Sequence, residues 1–209
     1  MADRRRASDR TEALRRRAEE AAGCTRCDLY RRATQTVFGS GSPRASVLLV
    51  GEQPGDHEDL EGEPFVGPAG RLLDGVLAEA GIGADDVYVT NAVKHFKWEA
   101  RGKRRIHKRP SAVEIQACHT WLESELALVQ PAVVVCLGAT AARAVLGRSV
   151  VIGSVRGAPL DGPDGIPVVV TIHPSAVLRT RDDRAAMRAG LVADLEKAAA
   201  IAAGRSGPD

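Results

Sequence analysis

Ser46-Val47-Leu48-Leu49-Val50-Gly51-Glu52-Gln53-Pro54-Gly55 decides how this chain folds. Ser46–Val50 is a short apolar run with β-branched members between breakers, which reads as a buried strand. Gly51–Gly55 is a tight loop at its carboxyl end, carrying the carboxylate of Glu52 and the amide of Gln53. Val87–Thr90, Ala132–Leu137 and Ile166–Ile172 read as further strands of the same kind.

Helical stretches separate these strands. Residues 9–22 are rich in Ala, Arg and Glu. Gly70–Ala80 has Leu and Val at helical spacing. Ser111 stands as an N-cap with Glu114 at the capping-box position, opening a helix to about Val129. Ala139–Leu146 and Asp182–Ala203 complete the set. Alternating strands and helices imply a three-layer α/β/α fold around a mainly parallel four-stranded sheet. A single domain over residues 11–203 is expected, with flexible ends at 1–10 and 204–209. Residues 93–110 read as a long polar loop, a feature that is usually functional or disordered.

In such sheets ligands bind beyond the carboxyl ends of the strands. Glu52 and Gln53 follow the first strand, Asn91 the second and His173 the fourth, so one site is expected there. Gly39-Ser40-Gly41 precedes a strand and lacks the GxGxxG pattern, and there is no P-loop.

With 209 residues the chain is long enough for a core, and with 3% aromatics that core must be built from Val, Leu, Ile and Ala. The net charge of +2 does not announce a nucleic-acid partner, but Lys94–Arg109 holds eight Lys or Arg against one Glu. No segment approaches the roughly 18 apolar residues of a membrane span. The Arg-rich N-terminus is followed by no apolar stretch, so a cytoplasmic protein is expected. No heptad demands a second copy, and a monomer is expected.

Cys24 and Cys27 form a CxxC in an early loop, Cys118 lies on a predicted helix and Cys136 near a strand's end. Structural disulfides are not expected in a reducing compartment. Plain burial, a structural zinc and an iron–sulfur cluster all remain open on spacing alone.

Taken in order, the CxxC, Gly51–Gly55, Glu63-Pro64-Phe65-Val66-Gly67-Pro68-Ala69-Gly70, Thr90-Asn91-Ala92-Val93-Lys94-His95-Phe96 and His173-Pro174-Ser175 carry a resemblance. The chain resembles the iron–sulfur uracil-DNA glycosylases of family 4, from about Cys24 to the last helix. Two departures narrow it. Gln53 stands where that family usually has Ala, and Lys103-Arg104-Arg105-Ile106-His107 looks like an insertion. Both resemble the UdgX-type subgroup, whose members recognise uracil in DNA and become covalently attached through the inserted histidine.

The resemblance implies a uracil-DNA glycosylase-like fold and a [4Fe–4S] cluster at Cys24, Cys27, Cys118 and Cys136, with a structural role. It implies uracil-containing DNA as partner, and single-stranded DNA is preferred on the ground that flipping a base costs least there. Asn91 suits the N3 and O4 edge of uracil, or else simply ends a strand. Phe65 can stack on the flipped base, or pack in the core. His173 can donate to uracil O2 as negative charge develops, or else simply cap its loop. Gln53, through its backbone N–H or side chain, can help hold O2 or the sugar, or merely close a turn. Glu52 orients His107 or stabilises the cationic sugar. Asp56 and Asp59 are either support or solvated charge.

His107 is the expected nucleophile toward the sugar C1′, kept neutral by Arg104, Arg105 and Lys108. Those cations and Lys103 are also expected to contact phosphate or brace the loop. Otherwise His107 is a solvated residue in a phosphate-binding loop. The rival functions are a glycosylase of many turnovers and a non-catalytic iron–sulfur DNA-binding protein.

Overall fold

A computed structural model describes residues 2–205, with side chains from Ser8 onward. The strands are β1 (Ser40–Gly41), β2 (Val47–Gly51), β3 (Val87–Asn91), β4 (Trp98–Arg101), β5 (Arg104–His107), β6 (Val133–Leu137), β7 (Pro159–Asp161) and β8 (Pro167–Thr171). The helices are α1 (Ala2–Ala22), α2 (Asp56–Glu61), α3 (Pro68–Glu79), α4 (Ala112–Val129), α5 (Ala139–Leu146), α6 (Ile152–Val155), α7 (Pro174–Arg179) and α8 (Arg184–Arg205). Short 3-10 turns join some of them.

The four expected strands form the parallel centre of the main sheet, in the order β3-β2-β6-β8. Two short antiparallel edges, β1 and β7, extend it to six strands. Chain order reverses at β2, so the carboxyl ends of β2 and β6 flank a crevice of the kind in which α/β proteins bind ligands.

Strand periodicity divides the core between the two faces. Leu48, Val50, Tyr88, Val134, Cys136, Val168 and Val170 point toward α1, α4 and α5. Val47, Leu49, Val87, Val133, Val135, Leu137 and Val169 point toward α3 and α8. The strands read as unbroken apolar runs because both faces are covered.

Two local expectations need correction. The segment expected to fray at 1–10 is helical from Ala2, and Arg10 ties α1 to α4 through Nη1 and the Val129 carbonyl at 3.2 Å. The polar loop at 93–110 contains an antiparallel hairpin, β4 against β5, with Gly102 at positive φ in its turn. Its charged composition hid the pairing. At the other end, α8 runs to Arg205, and residues 206–209 of the expected flexible tail lie outside the described residues. Among the described residues no helix is long and apolar enough to cross a membrane.

The capping box of α4 is complete. Ser111 Oγ accepts from Glu114 N–H at 3.3 Å, and Glu114 Oε2 accepts from Ser111 N–H at 2.6 Å. Ser111→Ala is expected to cost about 1 kcal/mol, read as a lower urea midpoint with an unchanged slope by circular dichroism.

Candidate active site

A cavity of about 750 Å³ opens at the carboxyl ends of the central strands, lined among others by Glu52, Phe65, Asn91, His107, Gly138 and His173. The register pairs Gly51 with Asn91 at the ends of β2 and β3. A methyl group on Gly51 would lie 2.3 Å from Asn91 Oδ1 and 2.7 Å from Phe65 Cζ. Glycine at 51 is therefore what lets the amide and the ring share one wall of the cavity. Phe65 itself has φ +60°, which costs an aromatic residue strain energy. The strained turn is met by Gly70, where a Cβ would fall 1.4 Å from the Phe65 carbonyl oxygen.

His173 is the N-cap of α7. Its Nδ1 accepts from Ser175 N–H at 3.1 Å, so in the neutral ring Nε2 carries the proton. Burial first, then Arg179 and His107, push its pKa down to about 4. The ring lies near-parallel to Phe65, with centroids 6.1 Å apart. A neutral N–H donor thus borders the cavity beside an aromatic face.

His107 ends β5, with Nε2 3.7 Å from Glu52 Oε1. Its pKa is lowered from the ordinary value, first by desolvation and then by Arg179 and Arg109, against the opposing pull of Glu52. The side chain is 46% exposed, so the desolvation by nearby protein is partial, and the guanidiniums add to it through open space. These cations are not the ones expected from the sequence. Arg104 is exposed at the hairpin turn, Arg105 is turned inward and Lys108 pairs across the hairpin with Glu99 at 2.7 Å. Thr140, in the first turn of α5, donates to Glu52 Oε2 and fixes the carboxylate.

The hairpin is held at two points. Arg105 reaches Asp56 Oδ1 and Asp59 Oδ2, each at 2.5 Å, and its guanidinium lies over Phe96 and Trp98. Asp59 is fully buried and also accepts from Thr34 N–H and Oγ1. Asp56 and Asp59 are therefore support. Gln53 closes the base of the hairpin. Its Nε2 donates to the carbonyls of Lys97 and Lys108 at 3.1 and 3.0 Å, and its Oε1 accepts from Lys97 N–H at 3.2 Å. Its amide is thereby committed to the hairpin, and only its backbone is left to face a ligand. Lys103 and Arg104 remain exposed at the turn.

The thiols divide three and one. Cys118 feels the charges of Cys24 and Cys27, and Cys27 that of Cys24. Trp121 Nε1–H donates to Cys24 Sγ at 3.3 Å and Lys94 N–H to Cys118 Sγ at 3.2 Å. Burial pushes the Cys118 thiol up to about 11. Cys136 lies fully buried on β6, and burial alone raises its thiol. The fold thus brings three of the four expected ligands together and leaves Cys136 in the sheet. Among the described residues no three or more His, Cys, Asp or Glu are spaced for a single metal ion. His95, given no role by the sequence, is buried nearby. Its Nε2 meets Thr36 Oγ1 at 3.0 Å, and that hydroxyl shares the Ala21 carbonyl with Cys24 N–H.

Residues 38–196 match the Uracil DNA glycosylase superfamily. The chain belongs to that superfamily. It is 38% identical to a Type-4 uracil-DNA glycosylase of Thermotoga maritima over 182 residues, covering 87% of this chain and 90% of the relative. A Type-4 uracil-DNA glycosylase of Archaeoglobus fulgidus is 36% identical over 166 residues, 76% of this chain and 80% of the relative. A Type-5 uracil-DNA glycosylase of Thermus thermophilus is similar over 53% of each chain, at 36% identity. Uracil-DNA glycosylase chemistry, the cleavage of an N-glycosidic bond in DNA, is the function the family supports.

Thr140, Arg109 and Arg179 were missed from the sequence. Thr140 follows β6 as Glu52 follows β2, so the strand-end rule that found one contained the other. Arg109 stands two residues after His107 in the basic run already noted, but nothing in that run singles it out, and Arg179 reaches the site from α7 and leaves no local signal.

Gly51→Ala is expected to keep the fold by circular dichroism while lowering the uracil excision rate about 100-fold, since displacing a recognition group by about 1 Å costs that much.

Proposed function

We propose that this protein excises uracil from DNA and is then captured on the abasic sugar through His107. The observation that carries the reading is a neutral histidine on a pinned hairpin at the rim of the cavity lined by Asn91, Phe65 and His173. A glycosylase takes its base out of the stack and reads the Watson–Crick edge in a pocket. Asn91 offers both a donor and an acceptor to uracil N3–H and O4. Phe65 stacks on the ring.

The C1′–N1 bond breaks with its electron pair leaving on uracil, where charge collects at O2 opposite His173 Nε2–H. The lone pair of an unprotonated His107 ring nitrogen then forms a bond to C1′. The imidazole becomes an imidazolium and releases its other ring proton to solvent, while the uracil anion takes up a proton. Glu52, 3.7 Å from His107, stabilises the positive charge that passes from sugar to ring. Each protein acts once. Lys103 and Arg104 contact phosphate, and single-stranded DNA, whose bases are already unpaired, is the preferred partner.

We further propose that the thiols of Cys24, Cys27 and Cys118 hold the iron–sulfur cluster implied by the family 4 resemblance. The sulfurs of Cys24 and Cys118 are buried and accept N–H bonds from Trp121 and Lys94, and the partly buried Cys27 is near enough to act on Cys118 electrostatically, a setting that fits such a group. It supplies structure, joining the N-terminal segment to α4. Absorption near 400 nm is expected to vanish in Cys24→Ser and Cys118→Ser and to persist in Cys136→Ser; its loss in the last would make Cys136 a ligand.

The 38% identity to a Type-4 uracil-DNA glycosylase supports a second reading, many turnovers with His107 only at the DNA backbone. Heated denaturing gels with labelled uracil-containing single strands separate the two. The proposal predicts a uracil-dependent slow band for the native protein, none for His107→Ser, and a thymine control without a band. Many uracils released per protein without a band would support the alternative.

The sign of the pH effect follows from the charge. Only the neutral ring is a nucleophile, and its pKa is lowered, so capture is expected to fall less between pH 7.5 and pH 6.5 than it would with an ordinary imidazole, which is about half charged at pH 6.5. Capture then declines at lower pH. A yield that already halves between pH 7.5 and pH 6.5 (about one unit around the unperturbed value) would contradict it.

A further inference from the structure

Behind the wall that carries Asn91 lies a buried ion pair. Lys94 and Glu125 are both 0% exposed, with Nζ 2.5 Å from Oε2. The three protons of the ammonium meet three acceptors: Glu125 Oε2, Thr90 Oγ1 at 2.5 Å and the Asn91 carbonyl at 2.9 Å. Glu125 accepts in addition from the Thr90 hydroxyl at 2.9 Å, Gly39 N–H at 2.8 Å and Tyr88 O–H at 3.3 Å. Every donor and acceptor of the pair is matched.

Stability gives no reason to keep such a pair. Two charges taken out of water cost several kcal/mol, and well-packed apolar replacements are often neutral or stabilising. Its placement supplies a reason. Asn91 is the last residue of β3, its amide lines the cavity, and its carbonyl is held by the ammonium. The same Lys94 gives its backbone N–H to Cys118, and Glu125 stands on α4 with that cysteine. The pair therefore fixes the peptide of Asn91 against the helix that carries a cluster ligand.

We infer that Lys94 and Glu125 are positioning residues that aim the Asn91 amide and so set discrimination between uracil and other pyrimidines. The inference rests on Asn91 reading the uracil edge. An ammonium holding the carbonyl limits rotation of that peptide, and a misaimed amide leaves a buried donor or acceptor unpaired against the base. Sites built on such hydrogen bonds lose selectivity steeply when the bonds are lost.

The test compares the native protein with Lys94→Met, Glu125→Gln and Thr90→Val, the last two keeping shape if the first fails to fold. Single-turnover excision is measured on uracil-containing and cytosine-containing single strands, with affinity for DNA bearing a tetrahydrofuran abasic analogue, which offers Asn91 no base. Expected is a roughly tenfold or greater fall in uracil excision with narrowed uracil-over-cytosine selectivity. Affinity for the abasic analogue should stay within about twofold, an energy below about 0.5 kcal/mol. Lys94→Met added to Asn91→Ala should cost nothing further, because the two act through one contact.

Unchanged uracil excision in all three variants would overturn the inference. So would rate and abasic-analogue affinity falling together, or full additivity with Asn91→Ala, since each describes general damage. A native protein that excises no uracil would instead overturn the reading of Asn91 itself, and the inference with it.

Discussion

A histidine proposed to act from a two-stranded hairpin can do so only if the hairpin stays still, and here that constraint falls on Arg105. Its guanidinium bridges Asp56 and Asp59 while lying over Phe96 and Trp98. Asp59 is fully buried, so removing the cation would strand a carboxylate, at a cost on the order of 3 kcal/mol. Gln53 adds hydrogen bonds to both ends of the hairpin from the loop that also holds Glu52. His107, Glu52 and the hairpin are thus one mechanical unit. An intramolecular group held in line can reach an effective concentration of about 10⁵ M or more, far above that of water, and a loose hairpin would forfeit it.

Charge state is the second requirement. His107 and His173 border one cavity, and both are held toward the neutral form, with Arg179 acting on each. For His173 neutrality preserves a fixed N–H donor. For His107 it preserves a lone pair. One exposed guanidinium therefore serves two unlike tasks. Glu52 opposes it at His107, held by Thr140, so the carboxylate can receive positive charge as it forms.

Much of this was legible in the sequence because apolar periodicity and strand-end position carry it. The parallel centre followed from unbroken runs such as Val133–Leu137, and Glu52, Asn91 and His173 followed from standing where those runs stop. The α4 boundary followed from Ser111 and Glu114. What the sequence concealed depends on pairing between distant segments. The hairpin at 98–107 has the composition of a solvated loop, because its charges are satisfied by Asp56, Asp59 and Glu99 and not by burial of an apolar face. For Gln53 the sequence left side chain, backbone N–H and turn closure open, because nothing local says that its amide spans to Lys97 and Lys108. The resemblance implied Cys136 as a fourth ligand; it stands on β6 with its thiol in the core, a placement that spacing along the chain does not reveal.

The decisive measurement is residue-level mapping of the DNA adduct. The native protein is incubated with a uracil-containing single strand, digested with nuclease and protease, and the modified peptide is sequenced by tandem mass spectrometry. The expected product is a deoxyribose attached through C1′ to the imidazole of His107. Attachment at any other residue, or stoichiometric uracil release with no modified peptide, would contradict it.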